Sequence, residues 1–480
     1  MEETRPPQGR EITERRWRRG LLLGLSGVAA VAVTLLMVRA GVAREAALMA
    51  GIFVLAALLW VTEAIPLFAT ALLVVLLEVL LLANPARLPW LGFTAGDSPS
   101  IRDILNAAAD PVLLLFLGGL ALALAATKEG VDRVLSGWLL RPFGRRPAGL
   151  LLGVILVTAA FSAWMSNTAT TAMMLALVAP LLAGLERGVP FRRALVLAVP
   201  FAANIGGLAT PVGSPPNAVA IAFLKREGHE LGFVEWMAAM LPLTGLLLLG
   251  LWWLLLRLHP APAGELADAG PPPRLGGRGR VVVGIFAGTV VLWLTDRWHG
   301  VPVEAVALLA TVALAVPGIL GAEDVDRLEW NVLILIGGGL ALGAGLERTG
   351  LDDWIVTRLP LGSAPAAWML VAGLTVGALV LSTFMSNTAA TNLVLPLAAS
   401  ALHAAGAGPA SVVEAGVFVA VGGSLAMALP ISTPPNALAY ARGEITTRDM
   451  AAAGALVGVA GCALLLAAGP WWFRLLGLVE

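Results

Sequence analysis

The chain has 480 residues, of which 58% are hydrophobic and 13% charged, with a mean hydropathy of +0.87. Soluble proteins run at about 45–50% apolar and about 25% charged, so a soluble chain of this length would lack the polar surface to cover itself. Thirty-one basic residues balance 31 acidic ones and there is one cysteine, Cys462, which excludes a nucleic-acid binder and a disulfide scaffold alike.

What remains is an all-α polytopic membrane protein. Residues 1–20 are polar and basic, and an apolar run begins at Leu21. That run is long for a signal peptide and lacks a small-residue cleavage site, so it is read as a retained span behind a cytoplasmic tail. Further spans are predicted at about 46–62, 65–83, 109–127, 194–208, 237–256, 281–296, 301–320, 331–347, 411–429 and 450–473. Two apolar stretches, 148–184 and 364–404, are too long for one crossing and each is broken by a polar cluster. They are read as re-entrant helical hairpins, which place irregular backbone at depth only where protein or water surrounds it.

About 11 transmembrane helices with a cytoplasmic N-terminus put 21 of the 31 arginines and lysines on the cytoplasmic side, as the positive-inside rule requires. The C-terminus then lies outside, in a cell (inner) membrane, and the two hairpins open from opposite faces. The Pro-, Gly- and Ala-rich segment 259–280 reads as a cytoplasmic linker between a first half, 21–258, and a second, 281–480.

The halves repeat one another. Gly118-Gly119-Leu120 recurs as Gly338-Gly339-Leu340 and Ser166-Asn167-Thr168 as Ser386-Asn387-Thr388, both 220 residues on. Pro215-Pro216-Asn217 recurs as Pro434-Pro435-Asn436, 219 residues on. Five crossings and one hairpin per half invert the second copy, which is the pattern of a secondary transporter with its site near the midplane. Small-residue helix packing could imitate the glycines, but it needs neither Pro-Pro-Asn nor a shared offset.

A Ser-Asn-Thr tip can do chemistry without a formal charge. Serine and asparagine are good N-caps, and the helix that starts there offers free amides and a positive dipole end to an anion. Carbonyls and hydroxyls of the preceding arm can hold a small hard cation, and an asparagine can face both. The alternative, a hydroxyl bonded back onto its own helix, suits one isolated copy but not two, each with its own break. Pro-Pro-Asn removes two backbone donors and predicts unwound chain at 210–214 and 432–433, with Gly206, Gly207 and Gly213 allowing unusual conformations and close approach.

Glu63, Asp110, Asp296, Glu304 and His403 are the main ionisable residues near the spans. Most sit near span ends, where structural roles prevail. The tryptophans, Trp471 and Trp472 among them, are read as interfacial anchors. No lysine or arginine lies at a tip or a break.

The doubled Ser-Asn-Thr and Pro-Pro-Asn motifs, supported by the Trp60–Pro66 segment and the paired glycines, resemble the divalent anion:sodium symporter family over nearly the whole chain. The resemblance implies a homodimer of scaffold and transport domains working by an elevator-type movement, with co-transported Na⁺ and a small dianion such as a C4 dicarboxylate, citrate or sulfate. Carried over by motif, one sodium site would use Ser162, Ser166, Asn167 and the Gly213 backbone. The second would use Ser382, Asn387 and backbone near Met385 and Ser432. Substrate carboxylates would meet Asn167, Thr168, Ser214, Ser386, Asn387 and Thr388. Serine stands at 382 and methionine at 385 where the family pattern has threonine and a small residue. A sodium-independent exchanger of the same fold is the runner-up, though exchangers tend to use a fixed positive charge. A channel would need a continuous polar path. An enzyme is not expected, since the four histidines show no ligand spacing and no activated nucleophile is evident.

Overall fold

The structure is a computed structural model that describes residues 8–86, 99–265, 274–358 and 367–479. Parts of the predicted tail (1–7), linker (266–273) and second hairpin (364–366) lie outside the described residues. In chain order the helices are α1 (Gln8–Arg39), α2 (Arg44–Thr62), α3 (Leu67–Leu77), α4 (Ile101–Ala108), α5 (Val112–Lys128), α6 (Val131–Leu140), α7 (Pro147–Ser162) and α8 (Asn167–Ala183). There follow α9 (Phe191–Gly206), α10 (Pro215–Arg226), α11 (Phe233–Leu258), α12 (Gly277–Leu294), α13 (Asp296–His299), α14 (Val303–Ala315), α15 (Ala322–Val325) and α16 (Trp330–Arg348). The last six are α17 (Leu351–Arg358), α18 (Ala367–Phe384), α19 (Asn387–Ala404), α20 (Pro409–Ser424), α21 (Pro434–Tyr440) and α22 (Thr447–Leu475).

Each of the eleven predicted spans carries a helix, and the protein is an all-α, multi-pass membrane protein. Among the described residues, eight helices are long and apolar enough to cross a membrane, α18 among them. Helix α7, with 16 residues, covers about 24 Å and falls short of the ~30 Å hydrocarbon layer. The chain divides into two compact units, Met1–Asp110 with Ile334–Ser363, and Pro111–Leu333 with Ala364–Glu480.

In the first unit small residues set the helix spacing, as expected where lipid removes the hydrophobic drive between helices. A Cβ on Gly338 of α16 would lie 2.5 Å from that of Ala71 on α3, so these two helices meet backbone to backbone. Helix α3 runs on into one π-helical segment, Glu78–Leu82. Glu78 is fully buried, and neither carboxylate oxygen has a hydrogen-bond partner among the described residues. Gly345 makes room for it, since a Cβ there would come within 2.6 Å of Glu78 Oε1. An orphaned buried carboxyl costs about 1–3 kcal/mol or more. Glu78→Met should therefore raise the melting temperature in detergent by several degrees, and a lower melting temperature would show that the carboxyl has a stabilising role.

The second unit holds both Ser-Asn-Thr motifs and both Pro-Pro-Asn motifs. Gly118 of α5 packs on Ala307 of α14 with its Cβ position 2.5 Å from the alanine methyl. Thus the paired glycines that mark the repeat make close helix contacts. Helix α7 packs on α9 at Ala159–Gly206, and α18 on α20 at Thr375–Gly422. The helices after the breaks cross over: α10 packs on α19 and α20, and α21 on α8 and α9. Arg192, at the start of α9, ties this arrangement at one end. Its guanidinium donates to Glu444 Oε1 (2.5 Å) and Oε2 (3.0 Å), and to the carbonyls of Leu182 and Leu185 at the end of α8. The charged hydrogen bond from Arg192 holds the Glu444 carboxyl below the ordinary glutamate value. A depressed carboxylate adds stability above its unfolded pKa and loses it as pH falls through the folded value. Arg192→Ala should thus cost about 2 kcal/mol at neutral pH and flatten the acid limb of the stability profile, which melting curves across pH would reveal.

Candidate functional site

A helix break falls at each Ser-Asn-Thr motif. Helix α8 starts at Asn167 and α19 at Asn387, and the preceding arms end at Ser162 and Phe384. Ser166 and Ser386 occupy the N-cap positions, but neither hydroxyl caps its helix. This departs from the expected side-chain capping and leaves the first-turn amides open to an outside acceptor.

The arms meet oxygens at both tips. Ser162 Oγ lies 2.6 Å from Asn167 Oδ1 and 2.8 Å from the Ala203 carbonyl. In the second half, Ser382 Oγ lies 2.8 Å from Asn387 Oδ1 and 2.7 Å from the Gly423 carbonyl. A hydroxyl has one hydrogen. At the second tip one of these short oxygen–oxygen contacts therefore has no proton of the serine to mediate it. The Asn167 amide can also turn its nitrogen inward, donating to Ser162 Oγ at 2.6 Å, the Gly213 carbonyl at 3.1 Å and the Ala203 carbonyl at 3.3 Å. An amide that faces three oxygens with either atom marks a place where a donor or a cation is needed.

The breaks supply the remaining carbonyls. Helix α9 ends at Gly206 and α20 at Ser424, and residues 207–214 and 425–433 are unwound. Pro215-Pro216 and Pro434-Pro435 open α10 and α21 at N1 and N2, so the prolines start helices here instead of ending them. The asparagine after each pair holds the unwound chain. Asn217 Nδ2 donates to the carbonyls of Gly207 and Thr210, both at 2.8 Å. Asn436 Nδ2 donates to those of Met427 (2.9 Å) and Leu429 (3.0 Å). A hydroxyl from each break reaches the tip beside it: Thr210 Oγ1 donates to Ala163 O, and Ser432 Oγ to Thr383 O at 2.8 Å.

Glycine works here by absence of bulk. Gly207 has φ −60° and none of Gly206, Gly207 and Gly213 has positive φ, which corrects the expectation of unusual conformations. A Cβ on Gly207 would stand 2.7 Å from Asn167 Oδ1 and 2.8 Å from the Gly213 carbonyl, and one on Gly213 would stand 2.6 Å from the Gly207 carbonyl. Ser162, Asn167 and Gly213 are thus brought together, as are Ser382 and Asn387, with Ser432 and Met385 beside the second tip. Met385 is buried at 2% exposure. Thr168, Ser166 and Ser386 are half-buried, and Thr388 and Ser214 are buried.

Sequence reasoning missed several supporting groups. Asn204 of α9 is buried and donates to Thr433 Oγ1 (3.2 Å) and Asn436 Oδ1 (3.4 Å), joining the first half to the second half's break. Trp236 Nε1 donates to the Leu208 carbonyl at 3.0 Å. Trp60, Trp236 and Trp293 are fully buried, so the reading of the tryptophans as interfacial anchors fails for these three. Each donates its indole N–H to a carbonyl outside regular helix or in a helix's first turn (Leu67, Leu208 and Val303), which is why a buried tryptophan suits the place. Among the ionisable candidates, Glu304 pairs with Lys225 at 3.7 Å and His403 lies 3.3 Å from Glu227. Glu63, in left-handed conformation, ends α2. Among the described residues no group of histidine, cysteine and carboxylate could hold a metal.

Known proteins give the site a context. The family described as "Citrate transporter" matches residues 57–422 and, in a second overlapping match, 290–476. The sodium-dependent dicarboxylate transporter SdcS of Staphylococcus aureus, in strain bovine RF122 / ET3-1 and in strain MSSA476, is 29% identical over 462 residues, covering 87% of this chain and 85% of the relative. The crystal structure of the Alcanivorax borkumensis YdaH transporter, 16% identical, is similar with a TM-score of 0.54 over 86% of this chain and 98% of that one, which shows a shared fold. The chain therefore belongs to the citrate transporter family, within the divalent anion:sodium symporter relationship that the doubled motifs suggested, and is a membrane transporter and not an enzyme.

Proposed function

We propose that the protein is a Na⁺-coupled symporter of a small dianion, most simply a C4 dicarboxylate, that moves its cargo by an elevator-type alternation. The reading rests above all on one observation: hydroxyl, asparagine amide and backbone carbonyls converge at both tips, and at the second the Ser382 hydroxyl, with a single hydrogen, stands within 2.8 Å of two oxygen acceptors. A sodium ion relieves that conflict, because it is a hard cation that binds oxygens. One ion would be held by Ser162, Ser166, Asn167 and the Gly213 backbone. A second would be held by Ser382, Asn387 and the backbone near Met385 and Ser432.

With carbonyl oxygens turned to the ions, the amide nitrogens of Asn167 and Asn387 face the cargo. Thr168, Ser214, Ser386 and Thr388 add hydroxyls, and the open amides of α8 and α19 add dipole ends. No arginine or lysine lies at either tip, so the bound cations offset the dianion's charge and binding of ion and anion is coupled. The S. aureus relative is a sodium-dependent dicarboxylate transporter, which supports the same cargo. Under this reading 148–184 and 364–404 are re-entrant hairpins of an inverted repeat, in halves 21–258 and 281–480 joined by a cytoplasmic linker, with the N-terminus inside, the C-terminus outside and two copies forming a homodimer.

The test is a thermal-shift screen of succinate, malate, fumarate, citrate and sulfate, each with Na⁺ and with choline. A C4 dicarboxylate should raise the melting temperature in Na⁺ alone. An equal shift in choline would favour the sodium-independent exchanger, and a shift with citrate or sulfate only would change the cargo.

A further inference from the structure

We propose that the second unit binds an anionic phospholipid behind the first tip, with part of one acyl chain in a half-open apolar cavity and the headgroup phosphate on Arg141, just after α6, and on Arg278 and Arg280 of α12. The cavity has a volume of about 220 Å³, and all twelve residues lining it are apolar. Its walls include Leu135 and Leu139 of α6, Val282, Val283 and Phe286 of α12, and Trp164 of the tip. Water placed there would find almost no polar partner, whereas a hydrocarbon chain loses nothing on entry.

The charge beside the cavity identifies the occupant. Helix α6 carries exposed Leu135, Trp138 and Leu139 between exposed Arg133 and Arg141, the pattern of a helix lying in the membrane interface. The Arg141 guanidinium sits 5.0 Å over the Trp138 ring. Arg278 and Arg280 are exposed in the first turn of α12, directly before Val282. In the same turn a Cβ on Gly279 would lie 3.4 Å from the Glu129 carbonyl, which brings the start of α12 to the α5–α6 junction. Among the described residues, Arg141, Arg278 and Arg280 form no ion pair. An apolar slot with arginines within two residues of its walls matches a molecule with a fatty tail and a negative head.

The tail would pack against the tip itself. Trp164 is two residues from Ser166, and its ring stacks on Phe233 (5.9 Å) and Trp293 (6.3 Å) and meets Phe286 edge-on at 6.0 Å. A filled cavity supports this aromatic stack and stiffens the first tip. The inference requires membrane embedding only, so it stands or falls apart from sodium coupling.

The experiment is native mass spectrometry of the full chain released from nanodiscs of mixed phosphatidylglycerol and phosphatidylcholine. Wild type should retain phosphatidylglycerol preferentially. Arg141→Gln with Arg280→Gln, both exposed, should lower that retention about tenfold or more. Ala287→Phe, which fills the cavity and keeps the arginines, should remove the same lipid while leaving dianion-dependent thermal shifts in place. Equal retention of the two lipids by wild type, or unchanged retention in both variants, overturns the proposal.

Discussion

Asn167→Ala and Asn387→Ala should each lower sodium-driven uptake by about tenfold to a hundredfold while the protein still folds. Each asparagine opens a helix and turns its amide toward a serine hydroxyl and nearby carbonyls. Alanine removes a cation ligand and an anion donor together. Losing a hydrogen bond to a charged group costs about 1.5–3 kcal/mol, which sets the size of the effect. The Na⁺ concentration for half-maximal uptake should rise with the loss, because the ion site itself is damaged. Uptake measured against Na⁺ concentration checks this, and a reduced rate with unchanged Na⁺ dependence would place the asparagines on the anion alone.

Gly207→Ala should be as damaging for a different reason. Its added methyl would press on Asn167 Oδ1 and on the Gly213 carbonyl, and the carbonyl cannot swing away as a flexible side chain could. The unwound segment would have to open, at a cost of about 1–3 kcal/mol, and the oxygens around Asn167 would separate. Transport should fall to background and the melting temperature should drop. Gly373→Ala is the control, since nothing lies within 4 Å of its Cβ position and a helical alanine is favoured over glycine. Equal tolerance of both substitutions in uptake and melting would show that Gly207 is not tightly packed against the site.

The doubled motifs were legible in sequence because they depart from apolar background at a fixed offset. The structure places the corresponding helix starts at the same spacing, Asn167 with Asn387 and Pro215 with Pro434. What the glycines do was not legible. Gly118 and Gly338 mark the repeat, but their partners Ala307 and Ala71 are distant in sequence, and a close contact has no one-dimensional signature. Asn204 was overlooked for a similar reason. One asparagine in an apolar helix resembles a solitary packing residue until its acceptors, Thr433 and Asn436, come beside it. Buried tryptophans and interfacial ones share a composition, so Trp236 could be separated from Trp471 only by what its indole bonds. Glu78 lies inside a predicted span, where a carboxyl without a nearby basic residue offered no pairing to read.

The most direct measurement is succinate uptake by purified protein in proteoliposomes under an inward Na⁺ gradient, against the same gradient of choline. Succinate accumulating above equilibrium in Na⁺, with only background entry in choline and no need for internal dicarboxylate, is the result expected of two oxygen-lined tips that need cations to hold a dianion. Equal uptake in the two salts, or uptake that requires preloaded dicarboxylate, would contradict that account.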